Sequence, residues 1–509
     1  MFFDRSPTDI HSESSQGIYS HKRYHQLLKV LRVGTKIKIM KRPTQIYAAF
    51  IDNPITALGT TTVAVYLLVV IGATASLGDA AAACTTWPIC SGATNDLTMA
   101  VATGHRLLAF LTGVLLLATT YAIVYGDTSG RVTAPIAVAL VLYPLQMAHG
   151  ALLSITAGSP PIPWLHLGFG LTIFGTLVLA LAWQLEYETG SADEPLHSED
   201  MECANSELSS VATILSEQPL GTRLKGRMFA YFQLMKPRLM WLLCLVAVAA
   251  MALAAGSALE TREILLTIGG GVLAIGASGT FNHVFERDVD RKMSRTNDRP
   301  LVTHQLPKRN AILFGIALTV LSTIIFLQLN SLTAALGLIA ILFYSVIYTL
   351  VLKPNTVQNT VIGGAAGALP ALIGWAAVTG RIGITGIALA AVIFVWTPAH
   401  FYNLALAYKE DYARGGFPMM SVVRGETTTR KHIVLWLGTT LAATTVLIWF
   451  TQLSWLVAVT TAFVGIIFLW ATIRLHHEQT KQAAFRAFHA SNAYLGAVLL
   501  AIVVDAIVI

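Results

Sequence analysis

Apolar residues run in long blocks along this chain, rather than recurring at the three-to-four spacing of a surface helix. Stretches near 57–77, 99–125, 133–155 and 163–185 each approach or exceed the roughly 20 residues that cross a hydrocarbon layer. After a polar interval nine more follow, near 239–257, 263–285, 310–328, 332–352, 357–378, 382–407, 433–450, 454–473 and 487–508. Gly and Pro are scattered through many of them, as helices in a bilayer allow. The pattern predicts an all-α polytopic membrane protein of about 13 transmembrane helices, four in a first part and nine in a second.

Composition agrees, with 55% hydrophobic residues, 12% charged residues and a mean hydropathy of +0.63. Lys and Arg then fix the orientation, because they collect in loops facing the cytoplasm. Residues 1–50 form a basic tail, carrying among others Lys36, Lys38, Lys41 and Arg42, and are expected inside. Alternation puts the basic runs Arg287 to Arg309, Lys409 to Lys431 and Arg474 to Arg486 on the same side, so the helix count checks itself. The formal charge of +7 follows from this topology and from anionic lipid, and calls for no nucleic acid. No apolar signal-peptide core precedes the first span; the tail either belongs to a protein of a prokaryotic cell membrane, Met40 being a second candidate start, or is a mitochondrial transit sequence. Between the membrane domains 51–185 and 227–509, residues 186–226 are acidic, Ser-rich and aperiodic, which reads as a cytoplasmic linker.

The second part carries a concentrated chemistry. "NHVFERDVDRKMSRTNDRP", 282–300, is about half charged and follows directly on an apolar span. Asn282, Glu286 and Asp290 are spaced by four and therefore share one helical face. Carboxylates running inward from a membrane boundary imply a polar cavity, and oxygen donors in a partly hydrated site suit Mg²⁺. Arg291, Arg295 and Arg299 follow as donors for a diphosphate. Glu410, Asp411 and Arg414 stand at the matching end of another span, and Lys353 and Asn359 on the same side ahead of the Gly-rich "VIGGAAGALPALIGW". Three distant stretches thus converge on one face, fit to hold Mg²⁺ and a diphosphate while an apolar tail lies among the helices. Any one of these cations also satisfies the positive-inside rule, and Lys353 also suits a snorkelling position at a helix end.

From "YFQLMKPR" at 231 to Asp505 the second part resembles the protohaem IX farnesyltransferases, UbiA-type intramembrane prenyltransferases, with matches in "NHVFERDVDRKMSRTNDRPLV", "LKPNTVQNTVIGGAAGALPALIGW", "WTPAHF" and "KEDYARGGFPMM". Many members have Asp where this chain has Glu286. The resemblance implies that farnesyl diphosphate ionises, that a vinyl group of haem B attacks the allylic cation, and that water completes a hydroxyethylfarnesyl group. In that scheme Asn282, Glu286, Asp290 and Asp411 hold Mg²⁺ and diphosphate, and Arg291, Arg295, Arg299 and Lys353 grip phosphate oxygens. His400 either touches haem or is a hydrogen-bonded core histidine. The "HF" at His400 and Phe401 favours a haem acceptor over the rival reading, a quinone-ring prenyltransferase.

In the first part, "ATGHRLLAF", "QMAHGALLS" and "PWLHLGFG" put His105, His149 and His166 near the outer face. Neutral imidazoles at one depth on adjacent helices suit bis-histidine haem ligation, with interhelical hydrogen bonding as the plainer alternative. Cys84 and Cys90 flank "TTWPI" on the outer side, where a disulfide is permitted. Cys203 and Cys244 read as free thiols. The "WPIC" loop, His105 and His166 resemble the first four-helix repeat of haem A synthase. The second repeat is absent, and Ala102 replaces a Glu usual in that family, which puts methyl-group oxidation in question. Three roles are left: binding haem, handing it to the second part, or supplying half of a dimeric site. A b-type haem carrier is the alternative class, and haem A synthase or terminal-oxidase assembly factors are the implied protein partners.

Overall fold

A computed structural model describes residues 53–75, 86–88, 97–156, 162–192 and 220–508. The tail, Met40, Cys84, Cys90 and Cys203 lie outside these residues. The described residues form helices and connecting turns, and thirteen helices are long and apolar enough to cross a membrane, matching the sequence pattern. Four belong to the first part: α1 (Pro54–Ala75), α2 (Leu97–Tyr125), α3 (Thr133–Ile155) and α4 (Ile162–Thr189). The second part opens with α5 (Leu220–Leu234), too polar to span, and continues with α6 (Pro237–Ala255), α7 (Thr261–Asp290) and α8 (Lys308–Leu327). Next come α9 (Ser331–Leu342), which runs through π-helical turns at Phe343–Leu352 into a last turn Lys353–Asn355, then α10 (Asn359–Thr379) and α11 (Ile384–Ala407). Short α12 (Lys409–Arg414) and α13 (Met420–Val423) precede α14 (Glu426–Thr451), α15 (Trp455–Glu478) and α16 (Lys481–Val508).

A polypeptide in lipid has no water to satisfy its N–H and C=O groups, so helices are the economical solution for these blocks. Packing then depends on small residues. In the second part, neighbours along the chain pair up, α7 with α8, α10 with α11, α15 with α16, and the circuit closes where α16 and α10 both meet α6. A Cβ on Gly374 of α10 would run into the Ala247 carbonyl of α6, so these helices touch backbone to backbone. Such contact needs glycine.

Residues 51–509 belong to one compact unit. Helix α4 buries Ile173, Phe174, Leu177 and Leu181, and its Val178 fills the hollow left by Gly438 on α14. Polar contacts finish the seam at the basic side, where Lys431 Nζ meets Glu186 Oε1 at 2.5 Å and Gln479 Nε2 donates to the Thr189 carbonyl at 2.7 Å. At the other end Trp164 meets Trp449 edge-on with ring centroids 3.8 Å apart.

Because the α6 and α10 backbones leave no room, Gly374→Leu is expected to destabilise the protein by about 1–3 kcal/mol. Thermal unfolding in detergent should show the loss as a lowered midpoint.

Candidate active site

Asn282, Glu286 and Asp290 all lie on α7, which runs five residues past its apolar block; Glu260 and Glu263 form a capping box at its start and Arg287 suits the dipole of its last turn. All three side chains are buried, at 2%, 5% and 1% exposure, so the row faces the protein interior. Each has acquired a cation. Lys353 Nζ stands 2.6 Å from Glu286 Oε1, and Arg299 reaches Asp290 Oδ2 at 2.6 Å. Lys236 Nζ donates to Asn282 Oδ1, while Asn282 Nδ2 donates to Thr349 Oγ1 at 3.1 Å. The second oxygen of Asp290, Oδ1, is buried with no hydrogen-bond partner among the described residues.

Lys236 carries no expectation from the sequence, and its position has a local cause. It joins α5 to α6 in the left-handed region, φ 56°, directly before Pro237, which keeps it out of the right-handed helical conformation. Gly279 on α7 allows the approach, since a Cβ there would lie 2.8 Å from the Leu234 carbonyl. A strained non-glycine residue held against the acidic row marks a functional position. Burial, with Arg299 close by, lowers the Lys236 ammonium to about 7 although Glu286 and Asp290 pull the other way.

The second acidic group is arranged differently. Asp411 accepts from the Ser294 hydroxyl at 2.6 Å, the Ser294 amide at 3.0 Å and the Arg295 amide at 3.2 Å, and pairs with Arg414. Burial alone would raise this carboxyl; the Ser294 bonds and Arg414 outweigh it and hold the group below the ordinary carboxylate range. Asp411 therefore clamps the segment that carries Arg295 and Arg299. Among the described residues no three His, Cys, Asp or Glu side chains form a group that could hold a metal ion; the two acidic groups are linked through the 291–299 segment, by Arg299 to Asp290 and by Ser294 and Arg295 to Asp411. Arg295 lies against the rings of Tyr408 and Tyr412, 4.8 and 5.3 Å from their centroids. Arg291 and Glu410 are exposed. Asn359, fully buried, accepts from the Thr360 hydroxyl and ties α10 to the Lys353 carbonyl.

His400 has the surroundings of the plainer of its two readings: Nδ1 is 2.7 Å from the Ser491 hydroxyl, and the ring is stacked between Trp396 and Phe488. From the Lys236 end of the row an apolar groove runs between α6, α7, α9 and α10, lined by Leu243, Ala247, Gly271, Ala274, Tyr344 and Ile373 among others. Its walls on α7 extend from Gly279 to Thr267, about 18 Å at 1.5 Å per residue.

In the first part a separate cavity of about 520 Å³ receives both His105 and His166. Gly72 and Gly150 lie beneath these rings; a Cβ there would come within 3.0 and 3.1 Å of them. Nδ1 of each imidazole is buried without a partner among the described residues, and His166 Nε2 is 3.2 Å from Gln146 Nε2. His149 stands apart, edge-on to Phe169. Arg106 bonds the Thr86 carbonyl at 2.7 Å and the Ser154 hydroxyl at 3.0 Å. Trp449 of α14 closes one wall.

Buried oxygen donors with their cations, and an apolar groove that reaches Lys236, make up one site embedded among membrane-spanning helices. The profile of the UbiA prenyltransferase family matches residues 242–494. Protoheme IX farnesyltransferase of Haloarcula marismortui is 59% identical over 452 residues, covering 88% of this chain and 97% of that protein. Protoheme IX farnesyltransferase 1 of Natronomonas pharaonis is 57% identical over 461 residues, 89% and 98% of the two chains. A protein of that same name from Saccharopolyspora erythraea is 42% identical over 288 residues, 56% of this chain and 92% of its own. The chain belongs to the UbiA prenyltransferase family, among the protohaem IX farnesyltransferases, and is a multi-pass membrane prenyltransferase.

Lys236→Met removes the cation nearest Asn282 while keeping the length of the side chain. It should raise KM for the prenyl diphosphate by about tenfold or more, measured by steady-state kinetics in detergent or nanodiscs.

Proposed function

We propose that the second part transfers a farnesyl group from farnesyl diphosphate to a vinyl group of haem B, giving haem O and diphosphate, in the plasma membrane of a prokaryote. The observation that carries this reading is the buried row of Asn282, Glu286 and Asp290 with Lys236, Lys353 and Arg299 around it, and an apolar groove that reaches Lys236, the residue bonded to Asn282. The tail lies in the groove and the diphosphate at its polar head. Heterolysis of the C1–O bond leaves the electron pair on diphosphate oxygen and an allylic cation at C1 and C3. The vinyl π electrons form the new C–C bond; water adds to the resulting cation and loses a proton. Fixed cations help most where negative charge grows, on the departing oxygens.

The donor set fits Mg²⁺. Asp290 Oδ1 is a buried carboxylate oxygen without a hydrogen-bond partner among the described residues, on one face with Glu286 and Asn282. These three residues would hold the ion, which supplies Lewis-acid neutralisation of the leaving group. Asp411, its oxygens taken up by Ser294, Arg295 and Arg414, acts by positioning the segment that bears Arg295 and Arg299.

The first part, in the same reading, binds haem between His105 and His166. Two imidazoles facing one cavity, each over a glycine, support it. The family match at residues 242–494, together with a Saccharopolyspora relative that aligns over 288 residues, about the length of the second part, supports assigning the transfer itself there.

Haem extracted from a host expressing the chain should gain the mass of a hydroxyethylfarnesyl group, and Asp290→Ala should abolish the gain with the protein still inserted. An unchanged haem mass with wild-type protein would defeat the transferase assignment. Independently, the purified chain loaded with haem should show a low-spin Soret band that His105→Ala and His166→Ala each remove. A spectrum unaffected by either change would defeat the haem site.

A further inference from the structure

The reaction has a difficulty that the charged residues do not meet. Heterolysis makes two charges: the anion falls among Lys236, Lys353 and Arg299, whereas the allylic cation is left at the mouth of an apolar groove. Water there would stabilise the cation and also consume it as farnesol. An uncompensated charge in apolar surroundings is costly, so a dry, non-nucleophilic group that tolerates positive charge is required.

Among the described residues lining the groove, Tyr344 is the one aromatic side chain, and it stands beside Lys236, where the groove meets the polar row. Its hydroxyl is 3.4 Å from Lys236 Nζ, which in turn bonds Asn282, the first member of the acidic row. The same ammonium lies 5.6 Å from the ring centroid, so a cation already reaches the face of this ring. The π-helical stretch Phe343–Leu352 sets the geometry: the Tyr344 carbonyl accepts from the Thr349 hydroxyl at 2.8 Å, and that hydroxyl accepts from Asn282 Nδ2. Tyr344 and Asn282 are therefore coupled through two side chains, Lys236 and Thr349. A widened turn of this kind commonly re-aims side chains at functional sites.

We propose that Tyr344 is a catalytic residue that stabilises the allylic cation through its π face. The inference rests on the prenyl-transfer reading above. Once the C1–O electron pair has left with the diphosphate, the positive charge shared by C1 and C3 faces the ring quadrupole, without a nucleophile to capture it, until the haem vinyl carbon forms its bond to C1.

The test uses the full chain in nanodiscs, with farnesyl diphosphate and protohaem for turnover and unreactive farnesyl S-thiolodiphosphate for binding. Tyr344→Phe keeps the π face and should retain kcat within about twofold, whereas Tyr344→Leu should lower kcat by about tenfold or more while KM and analogue affinity change little. Tyr344→Met, a second replacement without a π face, should match Leu. Should Leu and Met variants that bind the analogue turn over like wild type, the role of the ring is overturned while prenyl transfer stands. A Phe variant as slow as Leu would assign the effect to the hydroxyl contact with Lys236 and overturn it too. Wild-type protein that neither binds the analogue nor turns over would overturn the underlying reading, and this inference with it.

Discussion

Charge buried beside a lipid phase must be neutralised where it stands, and this constraint organises the second part. Glu286 and Asp290 are almost inaccessible, and each is matched by one cation delivered from elsewhere in the chain: Lys353 from the end of α9 and Arg299 from the segment after α7. Removing either cation would strand a buried carboxylate, a change that costs about 3–5 kcal/mol in comparable pairs. The pairs therefore do two things. They draw α7, α9 and the 291–299 segment together, and they fix two cations beside the row. Asp411 extends the arrangement by fixing that segment from α12.

A shared helix wall joins the two membrane parts. Helix α4 is seated on α14 along its length, sealed by Lys431 and Glu186 at one end and by Trp164 and Trp449 at the other. The histidine cavity of the first part is finished by Trp449, a residue of the second. Its geometry thus depends on both.

How much of this could be read beforehand depended on what leaves a trace in hydrophobicity. Thirteen spans were legible because lipid demands apolar blocks of fixed minimum length, and the row Asn282, Glu286, Asp290 because a spacing of four projects onto one face. Lys236 was missed. Its signal, a Lys before Pro at the foot of an apolar block, has meaning only once a left-handed turn brings it to Asn282. The π-helical turns around Tyr344 alter register without altering composition, so a window of apolar residues looks the same with or without them. Pairings such as Lys353 with Glu286 span 67 positions and depend on helix packing that no local pattern encodes. Asp411 was visible as an acid; that its oxygens hold a backbone segment was not.

Helix α14 also works as a ruler. Its first residue, Glu426, contacts Lys409 next to the Asp411 clamp, and Trp449, near its last turn, borders the histidine cavity, a separation of roughly 34 Å at helical rise. That is about the thickness of a hydrocarbon layer, so the Asp411 clamp and the histidine cavity stand at opposite ends of one helix. Under the proposed reading, a ligand that used both places would have to cover that distance.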